Sequence, residues 1–471
     1  MRQWVKHFMA SGELFIWSCG AGLSVSLLMI GGLLVLILAN GFGYFWPADL
    51  VELTMKDGKH VIGQLAGEEV GPKGIPRIRM KIGNRDLYGL DYRWINTDEI
   101  VERGKPADLV MVERREWGNF YGRLRTLYKQ DQIVADGADA VGQSLPALLR
   151  LADSSEGETE YSLVVVDANG REKSLSLDQV MRVFRPNDLS TLEKVWIYIG
   201  NVWTVLTTEP REANTEGGIF PAIFGTVMMV IIMSFVVAPF GVIGALYLRE
   251  YARQGVIVRT VRIAVNNLAG VPSIVFGVFG LGFFVYGVGG TLDALWFSDR
   301  LPTPTFGTGG ILWASLTLAL LTVPVVIVAT EEGLAAVPRE YREGSIGLGA
   351  TKWETIWKVV LPTALPGILT GLILAMARAA GEVAPLMLTG VVKLAPAMPI
   401  DGTWPFVHLD RKFMHLGFHI YDVGFQSPNV EAAKPMVYVT TLVLILVVVT
   451  LNLTGILLRN RMRRKYAGSA V

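Results

Sequence analysis

Six long apolar runs constrain the fold of this chain more than any other feature of its sequence. Each has about 20 residues or more, the length that an α-helix needs to cross the hydrocarbon core of a lipid bilayer. They predict transmembrane helices at residues 15–38, 220–248, 263–286, 311–329, 365–389 and 436–458. Charged residues make up only 18% of the chain, whereas a soluble domain has about a quarter. The sequence therefore predicts an α-helical polytopic membrane protein with six transmembrane helices.

Basic residues near the ends of these runs predict the orientation of the chain. The connection 249–262, the hinge 331–362 and the tail 459–471 each carry several Lys or Arg residues. Loops rich in Lys and Arg stay in the cytoplasm, so we expect all three segments on that side. The first run is longer than the apolar core of a signal peptide and is followed by a poor cleavage site, which predicts an uncleaved anchor. Residues 1–14 and the C-terminus are then both cytoplasmic.

A different kind of sequence, residues 39–216, separates the first two runs. Charges are dense there, Gly and Pro are frequent, and no stretch is long enough to span a membrane. Asp57-Gly58 lies between two strand-like stretches and predicts a hairpin, and a second hairpin is expected over 161–177. A short helix is expected over 138–151. We predict a mostly β, soluble periplasmic insert between the first two transmembrane helices.

The end of this insert has an amphipathic pattern. Asp188 is the predicted N-cap of a helix that runs from residue 189 to about 206, with its apolar residues on one side. The aromatic residues of that side favour a helix that lies at the membrane surface. A core helix of the soluble insert is the alternative, and both interpretations remain open from the sequence.

The hinge between the fourth and fifth runs is unusually well specified for a connection. Pro338 is suited to a helix start, and Gly349 is suited to a left-handed helix end. Thr351 and Glu354 form a capping box, after which a second short helix is expected to run up to Pro362 and to stop there. One apolar face of this helix is predicted to hold Trp353, Ile356, Trp357 and Val360. Such a face must be covered, either by the ends of the chain's own spans or by a cytoplasmic partner.

The spacing within this hinge resembles the EAA loop of ABC-importer permeases. Glu343-Gly344-Ser345, then Gly349, then Val359-Val360-Leu361-Pro362 stand at the intervals of that loop, with small changes of residue type. The resemblance implies a coupling loop, residues 331–362, that docks on an ATPase subunit and passes its closure to the membrane helices. The residues expected to take part are Glu343, Gly344, Ser345, Gly349, Trp353, Trp357, Leu361 and Pro362.

Two further segments, residues 267–277 and 377–386, are similar to the matching parts of phosphate permeases. The chain thus resembles the PstA-type permease of the phosphate-specific transport system, with a MetI-like permease core over 217–458. The large insert lies outside the common pattern. The resemblance implies a bacterial inner membrane location and inorganic phosphate as cargo. The implied partners are a second permease of the PstC type, an ATPase dimer and a periplasmic phosphate-binding protein.

Charged residues inside the fifth predicted span are candidates for the translocation path. Arg378 and Glu382 are four residues apart near the middle of that span, and a charge in the bilayer is costly unless it faces a cavity or a partner. The arginine fork suits a phosphate, and the carboxylate could accept a hydrogen bond from a protonated phosphate. In the third span, Pro272 and Ser273 lie where the helix is expected to be interrupted. The alternatives are an ion pair that fixes packing and a close-packing site.

Other kinds of function are disfavoured. The net charge of +1 gives no reason to expect nucleic acid as a partner. No phosphate-binding Gly-x-x-x-x-Gly-Lys-Ser/Thr motif occurs, so we expect a transport subunit without enzymatic activity or cofactor, with ATP and Mg²⁺ on a partner. His408, His415 and His419, near Asp410, are interpreted as exposed residues and not as metal ligands. The remaining alternatives are an importer of sulfate or molybdate and a membrane-anchored periplasmic sensor or scaffold.

Overall fold

The computed structural model describes residues 13–71, 74–130, 132–154, 161–211, 214–427 and 430–467. Arg2, Lys6 and His7, the basic residues ahead of the first apolar run, lie outside this part. The chain divides into two compact units. The first is formed by residues up to Gly218 together with Ser427–Val439, and the second by Ile219–Gln426 and the residues from Thr440 onward.

The described part of the first unit contains a long apolar helix followed by two antiparallel sheets. The helices of this unit before residue 218 are α1 (Glu13–Gly43), α2 (Arg85–Tyr88), α3 (Ala138–Ser154) and α4 (Thr191–Thr207). The strands are β1 (Leu50–Met55), β2 (His60–Val70), β3 (Pro76–Lys81), β4 (Tyr92–Asn96), β5 (Ile100–Gly104), β6 (Val110–Arg114), β7 (Phe120–Lys129), β8 (Gln132–Asp136), β9 (Tyr161–Val166), β10 (Glu172–Ser176), β11 (Val180–Phe184), β12 (Pro210–Arg211) and β13 (Glu216–Gly217).

The strand order explains how the insert forms its cores. One sheet has the order β4-β3-β2-β1-β5, and the other has the order β10-β9-β7-β6-β11 with β8 paired to β7. Side chains alternate between the faces of a strand, so apolar residues at every second position collect on one face. Leu53, Met80 and Ile95 are fully buried in this way in the first sheet, and Leu127 and Leu163 in the second. Both predicted hairpins, the helix over 138–151 and the mostly β insert are confirmed.

The predicted N-cap of the amphipathic helix is wrong by two residues. Ser190, and not Asp188, caps α4: its hydroxyl accepts a hydrogen bond from the N–H of Glu193, and the Glu193 carboxylate accepts one from the N–H of Ser190. This reciprocal capping box satisfies two N–H groups that a helix start otherwise leaves unpaired. Asp188 instead belongs to the turn before the helix, where its N–H donates to the carbonyl of Arg185.

The second unit is helical. Its helices are α5 (Phe220–Leu246), α6 (Val256–Leu268), α7 (Ser273–Phe279), α8 (Gly290–Trp296), α9 (Ile311–Ala335), α10 (Arg339–Gly347), α11 (Lys352–Thr355), α12 (Leu361–Gly381), α13 (Ala384–Thr389), α14 (Leu416–Tyr421) and α15 (Val430–Ala467), of which α15 up to Val439 is grouped with the first unit. Wider π-helical turns continue several of them, at Tyr247–Tyr251, Gly280–Gly289, Ile356–Val360 and Asp422–Gln426.

Six helices among the described residues are long and apolar enough to cross a membrane, which confirms the predicted number. They are Phe15–Gly43, Phe220–Tyr251, Ser273–Trp296, Ile311–Ala335, Lys352–Gly381 and Ala433–Arg464. The helix Ile311–Ala335 is the most buried of them, at 67% of its most apolar stretch, so it forms the centre of the helical unit. Close contact there depends on glycine: a Cβ at Gly371 would lie 2.4 Å from the Cβ of Ala329. Small residues of this kind let membrane helices approach closely.

Two spans do not lie where the sequence predicts them. The third begins at Ser273 and not at residue 263, because Pro272 lacks an N–H and interrupts the helix after α6, a separate amphipathic helix with Arg259 and Arg262. The fifth runs over Lys352–Gly381 and not over 365–389. Pro362 does not stop the helix. It occupies the first turn of α12, where a missing N–H is tolerated, and the π-helical turn Ile356–Val360 joins α11 to α12.

Candidate functional site

The predicted coupling loop, residues 331–362, contains two helical segments joined by a tight turn. Gly349 makes this turn with a φ of +90°, a left-handed conformation that glycine adopts without steric cost. The hydroxyl of Thr351 then accepts a hydrogen bond from the N–H of Glu354 at 3.3 Å, and the Glu354 carboxylate accepts one from the N–H of Thr351 at 3.0 Å. The predicted left-handed turn and the predicted capping box are both confirmed.

An arginine holds the loop against the membrane helices. The Arg342 guanidinium donates to the carbonyls of Val337 (2.6 Å) and Leu334 (2.8 Å), and it pairs with the Glu250 carboxylate at 3.0 Å. The ammonium of Lys352 donates to the carbonyl of Glu250 as well. The segment after α5 and both halves of the loop are therefore tied together. Sequence reasoning missed Glu250 and took Arg342 only as a cytoplasmic positive charge, because their pairing depends on segments 92 residues apart.

The predicted apolar face of the second loop helix is divided between two surroundings. Ile356 and Val360 are buried at 2% and 0% exposure, so they belong to the core of the helical unit. Trp353 and Trp357 are 59% and 57% exposed and stack on each other with ring centroids 5.7 Å apart. Leu348, on the other side of the Gly349 turn, is 92% exposed. The loop thus presents an aromatic surface that its own spans do not cover, as a docking site would.

The other motif positions of the loop have distinct surroundings. Glu343 and Gly344 are exposed on α10. The Ser345 hydroxyl lies 3.0 Å from the Thr355 hydroxyl and thereby links the two loop helices. Leu361 and Pro362 are half-buried at the start of α12. The structure thus brings the predicted coupling residues onto one continuous segment, with exposed positions on both sides of the Gly349 turn.

The predicted charged pair lies at a break in a helix and not in the middle of a span. Arg378 is in the last turn of α12, and Glu382 follows it in an extended conformation with φ −77° and ψ 136°. The Arg378 Nε and the Glu382 Oε1 are 3.4 Å apart, and the side chains are 36% and 19% exposed. The chain then begins α13, which has Pro385 in its first turn. An interrupted helix of this kind is where transporters place substrate groups.

The third span has a second interruption, at the predicted residues Pro272 and Ser273. Pro272 has an extended backbone with φ −55° and ψ 137°, and α7 begins at Ser273. This helix packs tightly on α13, because a Cβ at Gly277 would lie 2.7 Å from the Cα of Pro385. The helices that follow the two interruptions are therefore in direct contact. Pro272 is exposed and Ser273 is half-buried.

The prediction that the three histidines are exposed is wrong. His415 and His419 are 0% and 2% exposed, and His408 is half-buried beside Asp401, 3.0 Å from its carboxylate. The segment around them is packed and not free, because Val391 pairs with Phe413 in a β-bridge and α14 follows directly. Burial lowers the pKa of His415 to about 3 and that of His419 to about 4. Among the described residues, no group of three His, Cys, Asp or Glu side chains is placed to hold a metal ion.

Residues 238–467 match the protein family described as "Binding-protein-dependent transport system inner membrane component". A probable ABC transporter permease protein of Bacillus subtilis, YqgH, is 32% identical over 200 residues, which cover 42% of this chain and 60% of that protein. The phosphate transport system permease protein PstA 1 of Mycobacterium tuberculosis is 31% identical over 276 residues, 56% of this chain and 81% of that protein. The phosphate transport system permease protein PstA of Yersinia pestis is 35% identical over 190 residues, 40% of this chain and 58% of that protein.

Solved structures of ABC transporters have a looser likeness to this chain. The methionine transporter MetNI in inward-facing conformations covers 51% of this chain and 94% of its own, at 18% identity and a TM-score of 0.38. A bacterial transporter involved in the import of alginate covers 51% of this chain and 79% of its own, at 14% identity and a TM-score of 0.38. The sheets of the insert lie outside residues 238–467, the part that the family match covers.

Proposed function

Because this chain belongs to the permeases of binding-protein-dependent ABC transport systems, and within them to the PstA type, we propose that it is the permease subunit of an ATP-driven importer of inorganic phosphate. The chain is a multi-pass protein of the bacterial inner membrane. In this proposal the N- and C-termini and the coupling loop face the cytoplasm, and the β insert faces the periplasm. The clusters of Lys and Arg at residues 249–262, 331–362 and 459–471 support this orientation.

The proposed machine needs other subunits. A second permease of the PstC type completes the path through the lipid bilayer, an ATPase dimer hydrolyses ATP with Mg²⁺, and a periplasmic phosphate-binding protein delivers the cargo. No cofactor is assigned to this chain. The exposed pair Trp353 and Trp357 supports an ATPase contact, because large aromatic side chains commonly anchor protein interfaces.

The observation that best supports the proposal is that a single helix runs from the coupling loop to the charged pair. The helix Lys352–Gly381 has 30 residues, which corresponds to about 45 Å at the rise of an α-helix. Trp353 lies in its first turn and Arg378 in its last. A displacement imposed on the aromatic surface by a closing ATPase can therefore reach Arg378 along one continuous helix, which contains a π-helical turn at Ile356–Val360 and Pro366. This gives alternating access a mechanical route from ATP to the cargo.

The charged pair provides chemistry suited to phosphate. The planar guanidinium of Arg378 can donate two parallel hydrogen bonds to an oxyanion. Glu382 repels a fully ionised oxyanion but can accept a hydrogen bond from a phosphate that retains a proton. Sulfate has no proton at neutral pH, so the carboxylate disfavours it. In this role Arg378 exchanges its 3.4 Å contact with Glu382 for contacts with the anion as it passes the helix break.

Uptake into proteoliposomes tests the cargo. The chain is reconstituted with its partner subunits, and ATP-dependent uptake of labelled phosphate is measured with and without excess sulfate or molybdate. We expect phosphate uptake that sulfate leaves unchanged. In Glu382→Gln, sulfate should compete more strongly than in the wild type. Transport of sulfate or molybdate in preference to phosphate would replace the proposed cargo, and unchanged sulfate exclusion in Glu382→Gln would remove the selectivity role of Glu382.

A second candidate function follows from the size of the insert, which has its own buried cores in two sheets. In that case the chain is a membrane-anchored sensor or scaffold, and the spans only support the insert. Deleting residues 48–209 distinguishes the two functions. A transporter retains part of its ATP-dependent phosphate uptake without the insert, whereas a sensor has no such uptake either before or after the deletion.

A further inference from the structure

Helix α4 carries an apolar stripe that the insert leaves uncovered. Leu192, Trp196, Ile199 and Trp203 are 76%, 73%, 51% and 68% exposed. Their spacing of four, three and four residues places them along one side of the helix. Two tryptophans and two large aliphatic side chains on one exposed face are unusual for a water-soluble domain, whose exposed apolar residues are normally scattered.

The opposite side of α4 is fixed to the rest of the insert. The Asn201 amide donates to the carbonyl of Phe45 at 2.9 Å, and it accepts from Arg182 at 2.6 Å. The Lys194 ammonium donates to the Asp49 carboxylate at 2.6 Å. Val205 on this side is 6% exposed. These contacts prevent the helix from rotating about its axis, so the apolar stripe cannot turn inward to hide itself.

Aromatic contacts place α4 beside the end of α1, and they indicate its depth relative to the bilayer. The ring of Tyr198 lies against the rings of Phe45 and Trp46, with centroids 6.0 and 6.2 Å apart. Phe45 and Trp46 follow the last residue of α1, Gly43, by only two and three positions, so they lie within about 11 Å of the helix end. Because α1 is apolar around its whole circumference and spans the bilayer, α4 lies at the level where that helix leaves the membrane.

The surroundings at that level indicate what covers the stripe. Tyr44 and Trp46 follow the end of α1 directly, and the amphipathic rings of Tyr and Trp concentrate in the headgroup region of membrane proteins. The end of α1 nearest this level also has exposed apolar side chains, since Leu38 and Phe42 are 43% and 47% exposed. Helices with one aromatic, uncharged face lie in the plane of this region with that face toward the acyl chains.

We propose that α4 is an in-plane membrane anchor that seats the apolar stripe Leu192, Trp196, Ile199 and Trp203 in the lipid headgroup region. Its occupant is the lipid bilayer itself. The anchor holds the β insert down on the membrane surface at the point where α1 ends. This inference does not depend on the cargo of the transporter, and it decides between the two interpretations that the sequence leaves open for this helix.

Site-directed spin labelling of the full-length chain in lipid nanodiscs tests the anchor. Cys19 is the only cysteine, so Cys19→Ser gives a background for single labels at Trp196→Cys and Trp203→Cys. Ile133→Cys serves as the matched control, because Ile133 is an equally apolar residue, 61% exposed, on β8. The collision rates of each label with oxygen, which concentrates in lipid, and with a water-soluble nickel chelate are measured.

We expect the ratio of oxygen to nickel collisions to be high at residues 196 and 203 and low at residue 133. All three labels replace exposed side chains, so the fold is preserved and each result is interpretable. Equal nickel accessibility at the three positions would mean that the stripe faces water, and it would overturn the proposal. Low collision rates with both reagents at 196 and 203 would mean that protein covers the stripe, which also overturns it.

Discussion

The insert and the permease core use charged residues in opposite ways. In the insert, ion pairs such as Arg182–Glu113 (2.8 Å) lie on half-exposed sheet positions, where water makes a charge inexpensive. In the core, Arg378 and Glu382 lie at a break in a membrane-spanning helix, beside an otherwise apolar segment where charged residues are rare. A charged residue on a half-exposed sheet position therefore says little about function, whereas one in an otherwise apolar spanning helix is informative.

Apolar residues give the converse lesson. Exposed Leu and Phe are ordinary on the spanning helices, because lipid covers them. Exposed large apolar residues are unusual on α4 and on the coupling loop. We infer that lipid covers those of α4 and that an ATPase covers those of the loop. In both the insert and the core, a residue is informative when its surroundings disfavour its type, as an apolar membrane helix disfavours charge and water disfavours an apolar side chain.

The largest effect is expected when the aromatic surface of the coupling loop is removed. Trp353→Ala with Trp357→Ala should weaken binding of the ATPase subunit by about 2–4 kcal/mol, a factor of roughly 30 to 1,000, because buried interface tryptophans carry such energies. The thermal stability of the chain should be unchanged, since both rings are exposed. Copurification of the ATPase and the binding isotherm in detergent provide the measurement.

Ile356→Ala is the matched control within the same helix. Ile356 is 2% exposed, so removing its side chain leaves a cavity and should destabilise the core by about 2–4 kcal/mol. ATPase binding per folded molecule should stay the same. If the tryptophan variant lowers the melting temperature as much as Ile356→Ala does, the rings are structural and the docking surface is refuted.

As the pH is lowered, the folded permease core should lose stability at a higher pH than the insert does. The pKa of His415 is lowered to about 3 and that of His419 to about 4, chiefly by burial, with Asp422 and Lys393 acting on His419 in opposite directions. The unfolded chain takes up protons below about pH 6.5 and the folded core does not. Stability is therefore complete above that pH, and it falls as the pH decreases toward 4 by up to about 1.4 kcal/mol per unit for each histidine.

The insert should keep its stability to a lower pH than the core does. Hydrogen bonds from Lys105 and Lys194 hold the pKa of Asp49 below its usual value of 3.8. The stability from this group is present above pH 3.8 and is lost only as the pH falls through the lower folded value. Hydrogen exchange by mass spectrometry should show α14 losing protection between pH 6.5 and 4 while α4 keeps it. Simultaneous loss in both regions would contradict the assignment.

The smallest expected effect concerns the attachment of α4. Asp49→Asn removes the charge that Lys194 contacts, and a partly exposed ion pair contributes less than about 1 kcal/mol. We expect faster hydrogen exchange in α4 and no change in α3. Asp57→Asn is the control, because Asp57 makes a comparable pair with Lys59 on an exposed hairpin turn. An equal response to both variants would show that Asp49 does not hold the helix.

Local patterns predicted local structure well. The Asp57-Gly58 hairpin and the Thr351–Glu354 capping box depend on neighbouring residues, and both are present. The errors arose where distant packing decides. Pro362 looked like a helix stop, but its place in the first turn of α12 and a preceding π-helical turn keep the helix continuous. His415 and His419 looked exposed in a polar loop, but both are buried in a segment that packs on distant residues: the N–H of Leu416 donates to the Thr226 hydroxyl, and Gly417 lies close to Val383.

For the candidate site, the sequence predicted which residues take part but not the local structure in which they lie. Arg378 and Glu382 could be chosen from the sequence because charge is rare in an apolar run. Their position at a helix break was missed, although Gly381 and Pro385 are residue types that commonly end a helix. The continuity of the helix Lys352–Gly381 was hidden because Pro362 suggested a helix end within it. It is this continuity that connects the coupling loop to the charged pair.

The most direct test of the account is ATP-dependent phosphate uptake by Arg378→Gln in proteoliposomes with the partner subunits. Losing a charged hydrogen-bond donor to the anion costs about 1.5–3 kcal/mol, so uptake should fall by roughly 10- to 150-fold while the ATPase still binds. Arg300→Gln, which removes an exposed arginine outside the spanning helices, should transport like the wild type. Equal uptake by Arg378→Gln and Arg300→Gln would remove Arg378 from the translocation path and contradict the account.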